Sequence, residues 1–304
     1  MDVGVIGTGQ MGKNHVRVYS ELKEVGDVYV YDLQSDAAKQ VSKEFGAFAA
    51  SDIRELIRKV DAVSVCVPTP YHFSTVWELL KKETHILIEK PICQRSEEAK
   101  KLIDLISRDI IIGVGHIERF NPIVAEIRNM MKDPLFVELK RHNPTSTRLS
   151  GTSNVVEDLM IHDIDIILHT LFSGTPSIHA MGTDDVASVQ MRYDESVVQL
   201  SASRKSSKKI RMIHIEQEDM TIEGDFMTQE VYVYRKPGKY KVENERYVQE
   251  NIVEKVQVAK KEPLRTELQT FLSCVKTNTP FPVTPTQALE NIELCEIITN
   301  QMQL

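Results

Sequence analysis

The chain has 304 residues, 41% of them apolar and 27% charged, with a net charge of -7. This is the composition of a globular protein long enough for two cores, and neither a disordered nor a fibrous one. The acidic balance, with no long basic tract, argues against nucleic acid, and no apolar run approaches the roughly 20 residues that cross a bilayer. Met1 leads straight into a strand, leaving no room for a signal peptide, and Cys66, Cys93, Cys274 and Cys295 lack CxxC spacing. The expected compartment is therefore the reducing cytoplasm.

The chain opens on a short apolar strand, Val3 to Ile6, that runs into Gly7-Thr8-Gly9-Gln10-Met11-Gly12. In such a turn the first glycine permits the bend, the second lets backbone approach a pyrophosphate, and the third lets the following helix pack close to the sheet. The helix amides and dipole then favour an anion. A second strand, Val28 to Tyr31, ends in Asp32, where an acid accepting a ribose 2′-hydroxyl belongs. Leu33 rather than Arg follows it, which favours NAD over NADP.

Helices are predicted at Met11 to Leu22, Asp36 to Phe45 with Ser35 or Asp36 as its cap, Ser51-Asp52 to about Lys59, Tyr71 to Lys81 and Ser96 to Ser107. Between them fall strands at Ala62 to Val67, stopped by Pro68-Thr69-Pro70, then His85 to Ile88 and Ile110 to Val114. This alternation calls for a doubly wound parallel sheet covered on both faces over residues 1–118. Gly7, Asp32, Pro68-Thr69, Glu89-Lys90 and Gly115-His116 all follow strands, so all should open on one crevice.

Asn121 and Pro122 start a helix to about Met131, and residues 119–304 form the expected second domain. Leu135 to His142 reads as a strand, Asn143 to Thr152 as a polar loop and Val155 to Phe172 as a helix. Strands follow at Ser177 to Met181, Ala187 to Tyr193, Val197 to Ser203, Ile210 to Gln217, Asp219 to Glu223 and Gln229 to Tyr234. Their short turns predict an α+β domain with a mainly antiparallel sheet. Lys236 to Gln249 reads as loop, and helices close the chain at Arg265 to Thr277 and Thr286 to about Met302.

In the helix Val155 to Phe172, Asp158, His162, Asp165 and His169 recur at i, i+4, i+7 and i+11, one narrow stripe at about 100° per residue. Apolar residues fill nearly every other side, so the stripe should face a cavity. The alternative is a solvated edge; separately, Asp165 and His169 can be read as core residues hydrogen-bonded within the helix, outside the chemistry. In His85-Ile86-Leu87-Ile88-Glu89-Lys90-Pro91, the proline pushes Lys90 towards extended backbone at the strand's end. Oxidising a secondary alcohol needs a base on the hydroxyl: His162 suits it, with Asp158 fixing its tautomer and Lys90 donating to the same oxygen.

Together, Gly7 to Gly12, Glu89-Lys90-Pro91 and the segment Asp158 to Asp165 resemble the glucose–fructose oxidoreductase / inositol dehydrogenase family of NAD(P)-dependent sugar and polyol dehydrogenases. The resemblance covers essentially the whole chain and implies that Lys90, Asp158 and His162 are the catalytic trio. It implies cofactor contacts at Gly7, Thr8, Gly9, Gln10, Met11, Gly12, Asp32, Pro68, Thr69, His72, Glu89 and Lys90. It also implies a second domain with a large open sheet used for homodimer or homotetramer contacts. Met160 departs from the family's Asp-x-Gly-x-His pattern, which weakens any transfer of sugar specificity. The run Gly115 to Pro122 looks most like members acting on nucleotide-linked sugars, such as UDP-N-acetylglucosamine 3-dehydrogenases. Arg119 is then a substrate contact or a domain-hinge ion pair, and Asn143 a further substrate contact. The basic run Arg204-Lys205-Ser206-Ser207-Lys208-Lys209 with Arg211 either meets a diphosphate or is a solvated hairpin.

The leading expectation is an NAD-dependent dehydrogenase acting on a ring hydroxyl, at C3, of a sugar or nucleotide sugar, with no resident metal. Two other classes stay open. A metal-dependent hydrolase or lyase would use Asp158, His162, Asp165 and His169 as ligands. A cofactor sensor would bind NAD(H) without turnover.

Overall fold

Short runs of β-branched and apolar residues build the first sheet: β1 (Val3–Ile6), β2 (Val28–Tyr31), β3 (Phe48–Ala49), β4 (Ala62–Val65), β5 (His85–Glu89) and β6 (Ile112–Gly115). β1, β4 and β6 are buried along their whole length, the pattern of strands covered on both faces. In the computed structural model, which describes residues 1–107, 110–144, 153–236, 240–243, 246–249 and 252–303, these strands pair in parallel in the order β3-β2-β1-β4-β5-β6. The order reverses between β1 and β4, so a crevice opens beyond their carboxyl ends. Ile6 stands opposite both Tyr31 and Val65, Val65 opposite Ile88, and Glu89 opposite Gly115. One residue further on, Gly7, Asp32, Cys66, Lys90 and His116 leave the sheet at the same edge.

The connecting helices are α1 (Gln10–Glu21), α2 (Ser35–Phe45), α3 (Ile53–Ile57), α4 (His72–Leu80) and α5 (Ser96–Ile103). α3 begins as expected, with the Asp52 carboxylate accepting from the Glu55 amide at 2.7 Å. α2 does not: Gln34 takes the cap position without a side-chain bond, and Asp36 falls in the first turn, where it meets the positive end of the dipole. β6 begins two residues later than Ile110.

The chain divides into two compact units, Met1–Phe120 with Glu262–Glu293, and Asn121–Lys261 with Leu294–Leu304. The sequence places all of 119–304 in the second domain; instead α8 (Pro263–Thr277) and the start of α9 (Pro285–Met302) pack with the first unit. The reason is a core contact that no local pattern announces. Leu268, Phe271, Phe281 and Val283 are buried among the β1 to β6 side chains, and the Val114 amide donates to the Val283 carbonyl at 3.1 Å. Gly113 makes room for this, since a Cβ there would lie 2.4 Å from the Phe281 ring.

The second unit opens with α6 (Pro122–Met130), capped as predicted by Asn121 with Pro122 in the first turn. Its strands are β7 (Phe136–His142), β8 (Ser177–Gly182), β9 (Val186–Tyr193), β10 (Ser196–Ser203), β11 (Ile210–Glu216), β12 (Met220–Asp225), β13 (Glu230–Arg235), β14 (Tyr240–Glu243), β15 (Arg246–Gln249) and β16 (Ile252–Val256). Among the described residues, eight of them form one sheet in the order β16-β13-β12-β11-β7-β10-β9-β8, antiparallel except where β7 meets β10. β14 and β15 pair as a separate hairpin, so the stretch expected as loop between Lys236 and Gln249 holds two strands. Of the polar loop predicted over Asn143 to Thr152, residues 145–152 lie outside the described residues.

Strand burial alternates, as in β9, so one sheet face is packed and the other open. The packed face meets Ile161, Ile164 and Ile167 of the helix that carries the candidate site. That helix is not uniform. α7 (Ile161–Ile166) is flanked by a wide π turn on each side, Val156–Met160 and Ile167–Leu171, and the Phe172 amide accordingly reaches back five residues to the Ile167 carbonyl at 3.0 Å. The expected stripe assumes a constant 3.6-residue turn, which the π turns break. Asp158 and Asp165 are buried, whereas His162 and His169 are half-buried. Among the described residues, no helix is long and apolar enough to cross a membrane.

Candidate active site

In the first unit, the glycine turn has a distinct reason at each position. Gly7 has φ +90°, and a Cβ there would lie 2.7 Å from the Cys66 backbone. A Cβ on Gly12 would lie 1.8 Å from the Gly7 carbonyl oxygen, so only glycine lets α1 start this close to β1. A Cβ on Gly9 would meet nothing within 4 Å. Gly9 is also the cap residue of α1 and brings no side chain to its first amides, and Gly9 and Gln10 are exposed. This open cradle over a bare helix N-terminus fits the pyrophosphate of a dinucleotide.

Asp32 is held in place by the backbone around it. Its Oδ2 accepts from the Thr8 amide at 2.7 Å and the Thr8 hydroxyl at 2.9 Å, and its Oδ1 from the Gln34 amide at 2.9 Å. A carboxylate has about four acceptor positions, so Oδ1 keeps capacity for a ribose hydroxyl. Leu33 beside it is exposed.

At the end of β5, the buried Glu89 accepts from His15 Nε2 at 3.0 Å, and the Lys90 amide donates to its other oxygen at 3.3 Å. Burial opposes its charge, but the hydrogen bond and charge of His15 outweigh that and hold its carboxyl below the ordinary value. The buried Glu267 of α8 joins this pair, with ligand atoms of all three within 4.8 Å of one another. Neither His15 nor Glu267 is singled out in the sequence reading. The signal for His15 is its place three residues after Gly12; for Glu267 there is none.

His72, expected among the cofactor contacts, is buried, with its ring nitrogens each 2.8 Å from a carbonyl oxygen, those of Val67 and Pro91. Both ring nitrogens are therefore engaged, and the residue ties the loop after β4 to the cis Lys90-Pro91 bond. Pro68 is exposed and Thr69 half-buried at that edge. Arg119 donates to Gln287 Oε1 at 2.7 Å and to the Pro282 carbonyl at 3.3 Å, which makes it a latch within the first unit.

In the second unit, Asp158 sits at the start of its helix and accepts from Arg204 Nη2 at 3.2 Å. Arg204 also donates to the carbonyls of Ser153 at 3.0 Å and Asn154 at 3.1 Å. Asn154 caps the same turn, its Oδ1 accepting from the amides of Val156 and Glu157 at 3.0 Å each. The sequence expectation for the run from Arg204 is a diphosphate contact or a solvated hairpin; the hairpin is overturned, because β10 and β11 are separated by β7 and residues 204–209 cross over. Asp163 turns to the sheet, where Arg141 Nε donates to it at 2.9 Å and Nη2 at 2.7 Å, both residues buried. Asn143 extends the β7 ladder, its amide donating to the Ser203 carbonyl at 2.8 Å. Among the described residues, Asp158, His162, Asp165 and His169 supply no trio with metal-ligand spacing; His15, Glu89 and Glu267 do.

Residues 1–121 match the model of the oxidoreductase family with an NAD-binding Rossmann fold, the glucose–fructose oxidoreductase / inositol dehydrogenase group. The chain is 30% identical over 294 residues to the UDP-N-acetylglucosamine 3-dehydrogenase of Acidithiobacillus ferrooxidans, a match covering 92% of this chain and 90% of that one. The chain therefore belongs to this family of NAD-binding dehydrogenases. Among particular relatives, a solved structure of that Acidithiobacillus enzyme superposes with a TM-score of 0.89 at 28% identity, over 100% of this chain and 97% of the other. An inositol 2-dehydrogenase/D-chiro-inositol 3-dehydrogenase of Shouchella clausii is 28% identical, but over only 56% of this chain and 53% of its own length. A levoglucosan dehydrogenase solved with NADH and levoglucosan shares the fold, with a TM-score of 0.84 at 17% identity over 100% of this chain and 97% of the other.

Proposed function

We propose that the protein oxidises the C3 hydroxyl of a nucleotide sugar, UDP-N-acetylglucosamine or a close analogue, with NAD as hydride acceptor. The observation that carries this reading is the end-to-end likeness to the Acidithiobacillus enzyme, where the inositol dehydrogenase match stops near half of each chain. NAD bound at the Gly7 to Gly12 turn supplies the acceptor for the hydride. Gly9 and the first amides of α1 hold the pyrophosphate, and Asp32 accepts from the adenosine ribose. A 2′-phosphate would meet the Asp32 carboxylate with no arginine at position 33, so NAD is preferred over NADP.

His162 takes the proton of the substrate hydroxyl as general base, and Lys90 donates to the same oxygen as negative charge develops on it. Asp158, four residues before His162, orients the imidazole and stabilises its protonated form. Asn143 contacts the sugar nucleotide. Met160 is fully buried in the core of the second unit, where its bulk bears on the packing of this helix. We further propose a cytoplasmic homodimer or homotetramer that uses the open face of the eight-stranded sheet, where Met181, Val186, Val197, Met212 and Val253 are exposed.

The test is to mix purified protein with NAD and a panel of UDP-sugars, free sugars and inositols while following NADH absorbance. NADH formation with an N-acetylated UDP-sugar and not with inositol supports the reading. Turnover of inositol alone would replace the substrate, and NAD binding without any turnover would favour a sensor.

A further inference from the structure

The strongest unexplained feature of the second unit is the side chain of Arg204. Its backbone amide donates to the Asp185 carbonyl at 2.8 Å, pinning the exit of β10 to the loop before β9. Its side chain, only 14% exposed, reaches across to the Ser153 and Asn154 carbonyls and to Asp158. One guanidinium thus ties together two loops, the first helical turn and a buried carboxylate. All three side-chain bonds leave from Nη2, so the contact needs a cation held at that one point, which a lysine ammonium reproduces in part.

We infer that Arg204 is a positioning residue: it fixes the Asp158 carboxylate and offsets part of its negative charge, so that His162 gives up its proton readily and stands ready as base. The inference rests on the proposed roles of Asp158 and His162. Without a compensating cation, a fixed buried carboxylate one turn away would hold the imidazolium too firmly, leaving less free base at neutral pH.

Among the described residues of this unit, the charges of Glu157, Asp185 and Arg141 are of the same sign as Asp158 or have partners of their own. Glu157, next to Asp158, is half-buried, and burial first, then Glu296 and Asp184, raise its carboxyl above the ordinary value, while Arg204 opposes the rise. Asp185 lies 3.9 Å from Arg204 but has its own partner in Lys205 Nζ at 2.8 Å. Arg141, a buried cation of this unit, is engaged by Asp163. Arg204 is thus a cation of this unit bonded directly to Asp158.

The experiment follows the His162 ring by NMR in histidine-labelled protein, its signal assigned with His162→Gln, and needs neither substrate nor cofactor. In Arg204→Met the His162 titration midpoint moves to higher pH, and Arg204→Lys brings it back towards wild type. If turnover is found, the acid limb of the pH profile of kcat/KM moves the same way, with kcat falling more than KM changes. Should Arg204→Met fail to fold, Arg204→Gln takes its place, since it keeps a donor for Asp158 and removes only the charge. An unmoved or lowered midpoint in a folded, uncharged variant overturns the inference, as does a lysine variant that titrates like the methionine one. Because the midpoint is read on the free protein, an enzyme inactive on every sugar would overturn the proposed reaction while leaving this result to stand or fall separately.

Discussion

The two units build their candidate half-sites from different parts of the polypeptide. In the first, backbone at strand ends sets the geometry: Gly7, Gly9 and Gly12 shape the turn, and Thr8 and Gln34 present amides to Asp32. In the second, side chains drawn from distant segments set it, Arg204 to Asp158 and Arg141 to Asp163. A backbone site is written as a local motif, whereas a side-chain network depends on register and crossover connections.

The contrast breaks first at Gly12. Gly12→Ala sets a methyl 1.8 Å from a backbone oxygen that cannot rotate away, so its cost should exceed the roughly 1–3 kcal/mol usual for overpacking. We expect NAD binding to vanish in calorimetry and the first unit to melt early; unchanged affinity would mean that the turn is not the cofactor site. Next in size are Lys90→Ala and His162→Ala, one in each unit. Each should lower kcat by roughly 10²–10⁴-fold, the range for a lost acid or base, while NAD still binds. Substantial activity in both variants would remove the proposed chemistry from these residues.

Asp32→Ala tests the first unit more gently. Losing a charged hydrogen bond, worth roughly 1.5–3 kcal/mol, should raise the KM for NAD about tenfold or more without changing kcat for the sugar. Adding Leu33→Arg should shift preference towards NADP, and a double variant still selective for NAD would place the ribose elsewhere. The smallest effect concerns pH. His85 accepts the Ile111 amide on Nδ1 at 3.0 Å, and burial holds its pKa below the ordinary value. A depressed histidine contributes stability that is present above its unfolded pKa, near 6.5, and is lost as pH falls through the folded value. Wild-type thermal stability should therefore drop on acidification by more than that of His85→Asn, whose Oδ1 keeps the acceptor without titrating. Parallel curves would assign the acid sensitivity to other groups.

What could be read in advance follows the same division. The doubly wound sheet, the Asn121 cap and the tight glycine turn from Gly7 to Gly12 are visible because glycines, prolines and apolar strand runs act over a few residues. Glu262–Glu293 was out of reach because α8 carries an ordinary amphipathic pattern that says nothing about which core will receive it. Glu267 joins Glu89 and His15 across more than half of the chain. The π turns around α7 escape any argument built on a fixed turn, and with them the single narrow stripe expected of Asp158, His162, Asp165 and His169. Arg204 sits in a basic run that looks solvated until the crossover from β10 over β7 to β11 is known.

The most direct measurement uses UDP-N-acetylglucosamine carrying deuterium at C3 and weighs the reduced cofactor by mass spectrometry. Hydride transfer from that carbon yields NADH heavier by one deuterium, and His162→Ala yields almost none. Reduced cofactor without the label, or sugar consumed with NAD untouched, would contradict the account.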